Sequence, residues 1–106
     1  MSKINHALEL VEVPDKVKVA IQEFFRSLGR DIPEINDDTD LIKGTGASSD
    51  EGVDFAIDLS DVLGIEVPHD FNPFVHESGN RGMRFGELVK RAEGFISAMK
   101  EDPHGG

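Results

Sequence analysis

Apolar residues recur at helical spacing along most of this chain, and Gly and Pro separate the recurrences into segments. The longest recurrence follows the i, i+3, i+4, i+7 spacing that places side chains on one face of an α-helix. Its members are Phe85, Leu88, Val89, Ala92, Phe95, Ile96 and Met99. Because no apolar–polar alternation is long enough to build a sheet, we predict an all-α protein. The expected fold is a four-helix bundle of three main helices and a short one, with a long first loop.

The amino-terminal third contains two predicted helices. Ser2 can cap a weak one, and Pro14 with Asp15 begins a stronger one, since Pro is well tolerated in the first helical turn. Gly29 ends the stronger helix. Its apolar stripe consists of Val17, Ile21, Phe24, Phe25 and Leu28. We therefore predict that residues 1–13 form an extension that precedes the domain proper.

A polar stretch then runs from residue 30 to residue 48. It is too polar to be core and too long to be a simple turn, which predicts a structured loop. The apolar residues that would pin this loop to the core are Ile32, Ile35, Leu41 and Ile42. Its Asp37, Asp38 and Asp40 do not have the spacing of an EF-hand, so no metal site is predicted there.

The second main helix is predicted from about residue 49 to residue 63. Val53, Ala56, Ile57, Ser60 and Leu63 share one side of it, and Phe55, Leu59 and Val62 widen that side. The acidic residues are Asp50, Glu51, Asp54, Asp58 and Asp61. Acids in the first turn suit the helix dipole, whereas Asp58 and Asp61 do not and call for solvent or a partner. Gly64 ends the helix, and an extended connector follows over residues 65–68.

The short helix of the predicted bundle follows Asn72-Pro73, a cap and first-turn pair, and would run through Phe74, Val75 and Glu77. A turn rich in Gly, Ser and Asn then leads to the last helix. We place the helical domain at residues 14–99 and a carboxyl-terminal tail at residues 100–106.

Charge and composition narrow the class of function. The formal net charge is −10, which argues against nucleic acid or an anionic membrane as a partner, because both need a basic face. There are no Cys residues, so disulfides and a cysteine nucleophile are excluded. No apolar run is long enough to span a bilayer, and the amino end has no signal-peptide pattern. We expect a monomeric cytoplasmic protein that is not an enzyme, since no hydrolase motif accompanies its Ser, His and Asp residues.

Three features of the sequence occur together between residues 41 and 89. Leu41 precedes a Gly-containing loop and a serine that begins an acidic helix. This helix ends in the run Leu63-Gly64-Ile65-Glu66-Val67-Pro68, and Met83-Arg84-Phe85-Gly86-Glu87-Leu88-Val89 begins the last helix. In this arrangement the chain resembles the acyl carrier protein family, including its peptidyl and aryl carrier domains, over about residues 14 to 99.

The resemblance indicates which serine carries the family's modification. Members bear a phosphopantetheine arm on a serine at the start of the second helix. Nineteen positions separate Ser49 from Pro68, the interval that the family shows, and Gly46 then occupies the family's glycine position. Ser49 is therefore the predicted attachment residue, and Ser48, one position out of register, is the alternative.

The resemblance also implies a function and its partners. The protein would carry an acyl or aminoacyl group as a thioester for fatty acid, polyketide or related biosynthesis. Its partners would be a phosphopantetheinyl transferase and acyl-processing enzymes whose basic patches dock on Asp50, Glu51, Asp54, Asp58 and Asp61. Side chains that would shelter the acyl chain are Phe55, Ile57, Leu59 and Val75.

The sequence differs from the family at the modified serine, and this difference supports a second interpretation. Ser48-Ser49-Asp50 stands where the family has Asp-Ser-Leu, and Gly44-Thr45-Gly46 stands where it has Asp-Leu-Gly. The run from Asp70 to Phe74 is similar to one in small bacterial carrier-like proteins of unassigned role. The alternative is an unmodified interaction module on the same fold, which binds a basic partner protein through its acidic second helix. Ser48 and Ser49 would then serve only as helix caps.

Overall fold

The computed structural model describes residues 9–32 and 34–101, and within them the chain is all-helical, as predicted. A short 3-10 turn, Leu10–Glu12, leads into helix α1, Val13–Ser27. Helix α2 is Ser49–Leu63, and helix α3 is Phe85–Glu101. These residues form no β-strand, although two isolated bridges join loop segments. Most of the weak helix predicted after Ser2 lies outside the described residues.

Both glycines that were predicted to end helices do so. After α1, the N–H of Arg30 donates to the carbonyl of Phe25 and the N–H of Gly29 to that of Arg26, each near 3 Å. This is the Schellman arrangement, which requires a left-handed residue, and Gly29 has a φ of 76°. Gly64 ends α2 in the same left-handed region, with a φ of 72°.

Helices α1 and α2 pack antiparallel around a cluster of phenylalanine rings. Phe24 meets Phe55 edge to face at 5.4 Å between ring centres. Arg30, which follows Phe24, pairs with Glu51, which precedes Phe55, so the two helices run in opposite directions. Phe74 comes from the loop after α2 and stacks on Phe55 at 5.3 Å and on Phe25 at 5.8 Å. Because Phe25, Phe55 and Phe74 are fully buried, these rings are the centre of the core.

The buried stripe of α2 differs from the predicted one. Its buried members are Gly52, Phe55, Leu59 and Leu63. Val53 and Ile57, which the sequence places on the apolar side, face solvent with 58% and 69% of their surface exposed. Both stripes have helical spacing, and the one that carries the larger Phe and Leu side chains is the one that packs against α1.

The long loop before α2 is pinned to the core as predicted. Ile35 and Leu41 are buried, and Ile32 and Ile42 pack against the core from its edge. The loop also holds the start of α3, because the carbonyls of Thr39 and Asp37 accept the N–H groups of Phe85 and Gly86 at 2.9 Å. The loop therefore sets the position of α3 as well as that of α2.

The short helix predicted after Asn72-Pro73 is absent, so that prediction is wrong. The segment is a pair of turns tied to other parts of the chain. The N–H of Phe74 donates to its neighbour's side-chain oxygen, Asn72 Oδ1, and the carbonyl of Phe74 accepts the N–H of Met83 at 2.8 Å. Val75 forms a bridge with Gly82. Because these bonds use backbone groups of the segment, only a single turn bond, from the Val75 N–H to the Asn72 carbonyl at 3.2 Å, forms there, and no helix continues from it.

Candidate functional site

A compact turn connects the long loop, residues 30–48, to the start of α2. The Thr45 hydroxyl donates to the Leu41 carbonyl at 2.7 Å, and the N–H of Ala47 donates to the Ile42 carbonyl at 3.0 Å. Between them Gly46 has a φ of 76°, a conformation that other residues adopt only with strain. Ala47 is buried, which anchors the turn immediately before the two serines.

Ser48 is the residue that caps α2. Its backbone is extended, and its hydroxyl accepts the N–H of Glu51 at 3.3 Å. A second hydrogen bond joins the same two residues, because the Ser48 N–H donates to the Glu51 carboxylate at 3.0 Å. This reciprocal pair is a capping box, and it satisfies two N–H groups that the first turn would otherwise leave free.

Ser49 is the first residue of the helix, and its side chain is exposed. Its hydroxyl forms no hydrogen bond with the part of the chain that the structure describes, because the capping role belongs to Ser48. Its carbonyl accepts a hydrogen bond from Asn72 Nδ2 at 2.9 Å. The backbone of Ser49 is thus held while its hydroxyl faces solvent at the positive end of the helix dipole.

Glu51 is the centre of a charged contact at the same helix end. Arg30 donates to its carboxylate at 2.8 Å, and the Arg30 guanidinium lies over the Phe25 ring at 4.9 Å. The Ser48 N–H, and next the Arg30 guanidinium, lower the pKa of Glu51 from its ordinary value. Of the five acids predicted to bind partners, Glu51 is therefore already engaged within the chain.

The other four predicted partner-binding acids share the outer face of α2. Asp50, Asp54, Asp58 and Asp61 are all exposed, and their spacing places them within one stripe. Loss of solvent around the Asp58 carboxyl group, and next the charge of Asp61, raise the pKa of Asp58 from its ordinary value. No basic residue occurs on α2 itself, so the stripe has no neutralising charge along the helix.

The side chains expected to shelter an acyl chain do not line one space. Phe55 and Leu59 are fully buried in the packed core, whereas Ile57 points to solvent. Val75 lines a separate cavity of about 360 Å³, together with Asn72 and Arg91. In that cavity Arg91 lies over the rings of Phe71 and Phe95, at 5.0 and 5.4 Å, and pairs with Glu77.

Two residues of this site were not found from the sequence. Arg30 lies 21 positions from its partner Glu51, and no local sequence pattern indicates such a contact. Asn72 was predicted to cap a short helix, which is absent; its side chain accepts the Phe74 N–H in a turn instead. Its contact with the Ser49 carbonyl joins residues 23 positions apart. Only the tertiary structure brings them to the start of α2.

The described residues contain no group of three or more His, Cys, Asp or Glu side chains placed to hold a metal ion. None of their helices combines the length and the apolar character needed to cross a bilayer.

Comparison with known proteins identifies no relative. No family model, curated protein or solved structure matches this chain. Its function is therefore inferred from its own residues and contacts.

Proposed function

We propose that this protein is a carrier of the acyl carrier type, with an acyl-carrier-like helical fold and Ser49 as the residue that bears the phosphopantetheine arm. The observation that carries the proposal is that the hydroxyl groups of the two serines have different roles. Ser48 uses its hydroxyl to cap α2, and Ser49 presents its hydroxyl, exposed, from the first helical residue. A carrier needs such a primary hydroxyl where a transferase can reach it.

The residues at this helix start suit a phosphodiester. First-turn N–H groups and the positive end of the helix dipole favour an anion near Ser49. Arg30 pairs with Glu51 in this first turn, which offsets the negative charge of that carboxylate. When attached, the arm supplies a terminal thiol that holds an acyl or aminoacyl group as a thioester. The chain's own contribution is to hold the Ser49 backbone through Asn72 and to leave the hydroxyl free.

The test is the intact mass of the purified protein after incubation with coenzyme A and a broad-specificity phosphopantetheinyl transferase. We expect the gain of one phosphopantetheine in the wild type and in Ser48→Ala, and no gain in Ser49→Ala. Loading of Ser49→Ala with loss of loading in Ser48→Ala would move the site to Ser48. No gain with several transferases would refute the carrier function.

A second function is favoured by the outer face of α2. Val53 and Ile57 are exposed there among the carboxylates of Asp50, Asp54 and Asp61. An apolar patch within a field of negative charge suits an unmodified module that binds a basic partner protein. This function does not need the Ser49 hydroxyl, so Ser49→Ala would retain partner binding.

A further inference from the structure

A groove of about 440 Å³ lies between α1 and α2, towards the end of α2 that is remote from Ser49. Its apolar residues are Val19, Ala20 and Val62, and its charged residues are Lys16, Glu23, Asp58 and Asp61. Because the helices are antiparallel, residues 16–23 of α1 and the last turns of α2 form its two walls. Asp61 is 12 residues after Ser49, which is about 18 Å along a helix.

The floor of this groove is apolar surface that the fold leaves uncovered. Val19 is 51% exposed although it lies on the wall of α1, and Val62 is only partly buried opposite it. Ile57, one turn before Asp61 on the same helix, lies outside the groove and is also exposed. Apolar side chains grouped at a groove, unlike scattered ones, are typical of an interaction surface.

The walls of the groove carry an excess of negative charge. Glu23 forms an exposed ion pair with Arg26 at 2.9 Å, while Asp58 and Asp61 form none with the described residues. Lys16 is the one basic residue that lines the groove within those same ranges. Asp58 and Asp61 lie one turn apart and repel each other. Loss of solvent around the Asp58 carboxyl group, and next the charge of Asp61, raise the pKa of Asp58. A cation placed between them would relieve this repulsion.

We propose that this groove is the docking site for a basic amphipathic helix of a partner protein, with an apolar side chain between Val19 and Val62 and a Lys or Arg beside Asp58 and Asp61. An apolar floor with acidic walls is complementary in both shape and charge to such a helix. A second copy of this chain is a poor occupant, because each copy carries a net charge of −10.

This proposal rests on the second function proposed above, and it specifies the class of partner and the place where that partner binds. It stands whether or not Ser49 is modified, since a helix docked there leaves the start of α2 accessible. Its failure and the failure of the carrier proposal are separate results, because one is read from peptide binding and the other from intact mass.

The experiment uses the full chain and a defined probe, a fluorescein-labelled peptide made of two copies of Lys-Leu-Ala-Lys-Leu-Ala-Lys. Fluorescence anisotropy gives its Kd, and amide chemical shifts of the protein locate the contact. Two control peptides replace every Leu by Ser or every Lys by Glu. We expect the parent peptide to bind and to shift amides of residues 16–23 and 58–62, and both controls to bind at least about tenfold more weakly.

Variants with matched charge separate the groove from the general acidity of the protein. Asp58→Asn with Asp61→Asn should weaken binding at least about fivefold, because the cation of the peptide loses its partners. Asp37→Asn with Asp38→Asn removes the same charge from the exposed loop before α2, outside the groove, and should change the Kd less than about twofold. Val19→Ser, at a half-exposed position, removes the apolar contact without adding charge and should also weaken binding. Circular dichroism checks that each variant is folded.

Three results would overturn the proposal. The first is equal weakening by the two Asp→Asn pairs, which would assign binding to the overall negative charge of the protein. The second is a set of shifted amides centred on the start of α2, or no saturable binding. The third is concentration-dependent self-association of the free protein with the same amides shifted, which would make a second copy the occupant.

Discussion

The Asn72 side chain donates from Nδ2 to the Ser49 carbonyl at 2.9 Å and accepts the Phe74 N–H on Oδ1 at 3.0 Å. One amide thus fastens the loop after α2 to the first turn of α2. The contact is so close that a Cβ at Gly52 would lie 2.0 Å from Asn72 Oδ1. The position of the Ser49 hydroxyl therefore depends on a residue outside its own helix.

This contact predicts opposite effects for two Gly→Ala substitutions in helices. Gly52→Ala should lower the free energy of unfolding by more than about 1 kcal/mol, because the new methyl group collides with Asn72 and with Phe74 Cβ. Gly94→Ala in α3 should raise it by about 0.5–1 kcal/mol, since no atom lies within 4 Å of its Cβ position and Ala favours the helix. Urea denaturation measures both. A stabilising Gly52→Ala would contradict the described packing of Asn72.

The division of roles between the two serines predicts a difference in stability. Ser48→Ala should cost about 1 kcal/mol, because it removes the oxygen that caps the Glu51 N–H. Ser49→Ala should change the free energy of unfolding by less than about 0.5 kcal/mol, since its hydroxyl is exposed and caps nothing. Thermal and urea unfolding of the two variants check this. Equal losses would mean that both hydroxyls are structural.

The rotation of α2 predicts which apolar residues stabilise the fold. Phe55→Ala should cost about 3–5 kcal/mol, because Phe55 is fully buried and contacts the rings of Phe24 and Phe74. Ile57→Ala, two residues along, should cost less than about 1 kcal/mol because the side chain is 69% exposed. The comparison by urea denaturation is decisive for the orientation of α2, since the reverse order would place Ile57 in the core.

The start of α3 predicts an acid-dependent loss of stability. Arg81 forms two hydrogen bonds with Glu87, at 2.9 and 2.7 Å, and the Arg84 N–H forms another at 2.9 Å. Arg81 first, and then Arg84, lower the pKa of Glu87 from 4.5 to about 2. A lowered pKa means that the ionised form stabilises the folded state. This contribution is complete above pH 4.5 and is lost as the pH falls towards about 2.

Glu87→Gln is the variant that measures this contribution. It should be less stable than the wild type near neutral pH, and the difference should shrink as the pH falls from 4.5 towards about 2. Unfolding in urea at several pH values follows the difference. Glu93→Gln, in the same helix and outside this set of bonds, is the matched control and should leave the pH dependence unchanged. A constant difference between Glu87→Gln and wild type at all pH values would refute the linkage.

Helix positions and ends were predictable because their causes are local. Periodic apolar residues, the Ser48 cap and the left-handed glycines at positions 29 and 64 act over a few residues along the chain. The same local signals suggested a short helix at Asn72-Pro73, and there they failed. The Asn72 amide bonds to α2, and the backbone of Phe74 and Val75 bonds to residues 82 and 83, so long-range contacts prevailed over the local preference.

The sequence by itself determined an all-α chain, the three main helices and the pair of serines from which a modified residue is chosen. Only the tertiary structure decided that Glu51 is occupied by Arg30, that Asn72 binds the Ser49 carbonyl, and that Ile57 faces solvent. The physical reason is the range of the interactions. Helical hydrogen bonds and caps join residues that are close in sequence, whereas burial and ion pairing depend on which distant surface packs against each helix.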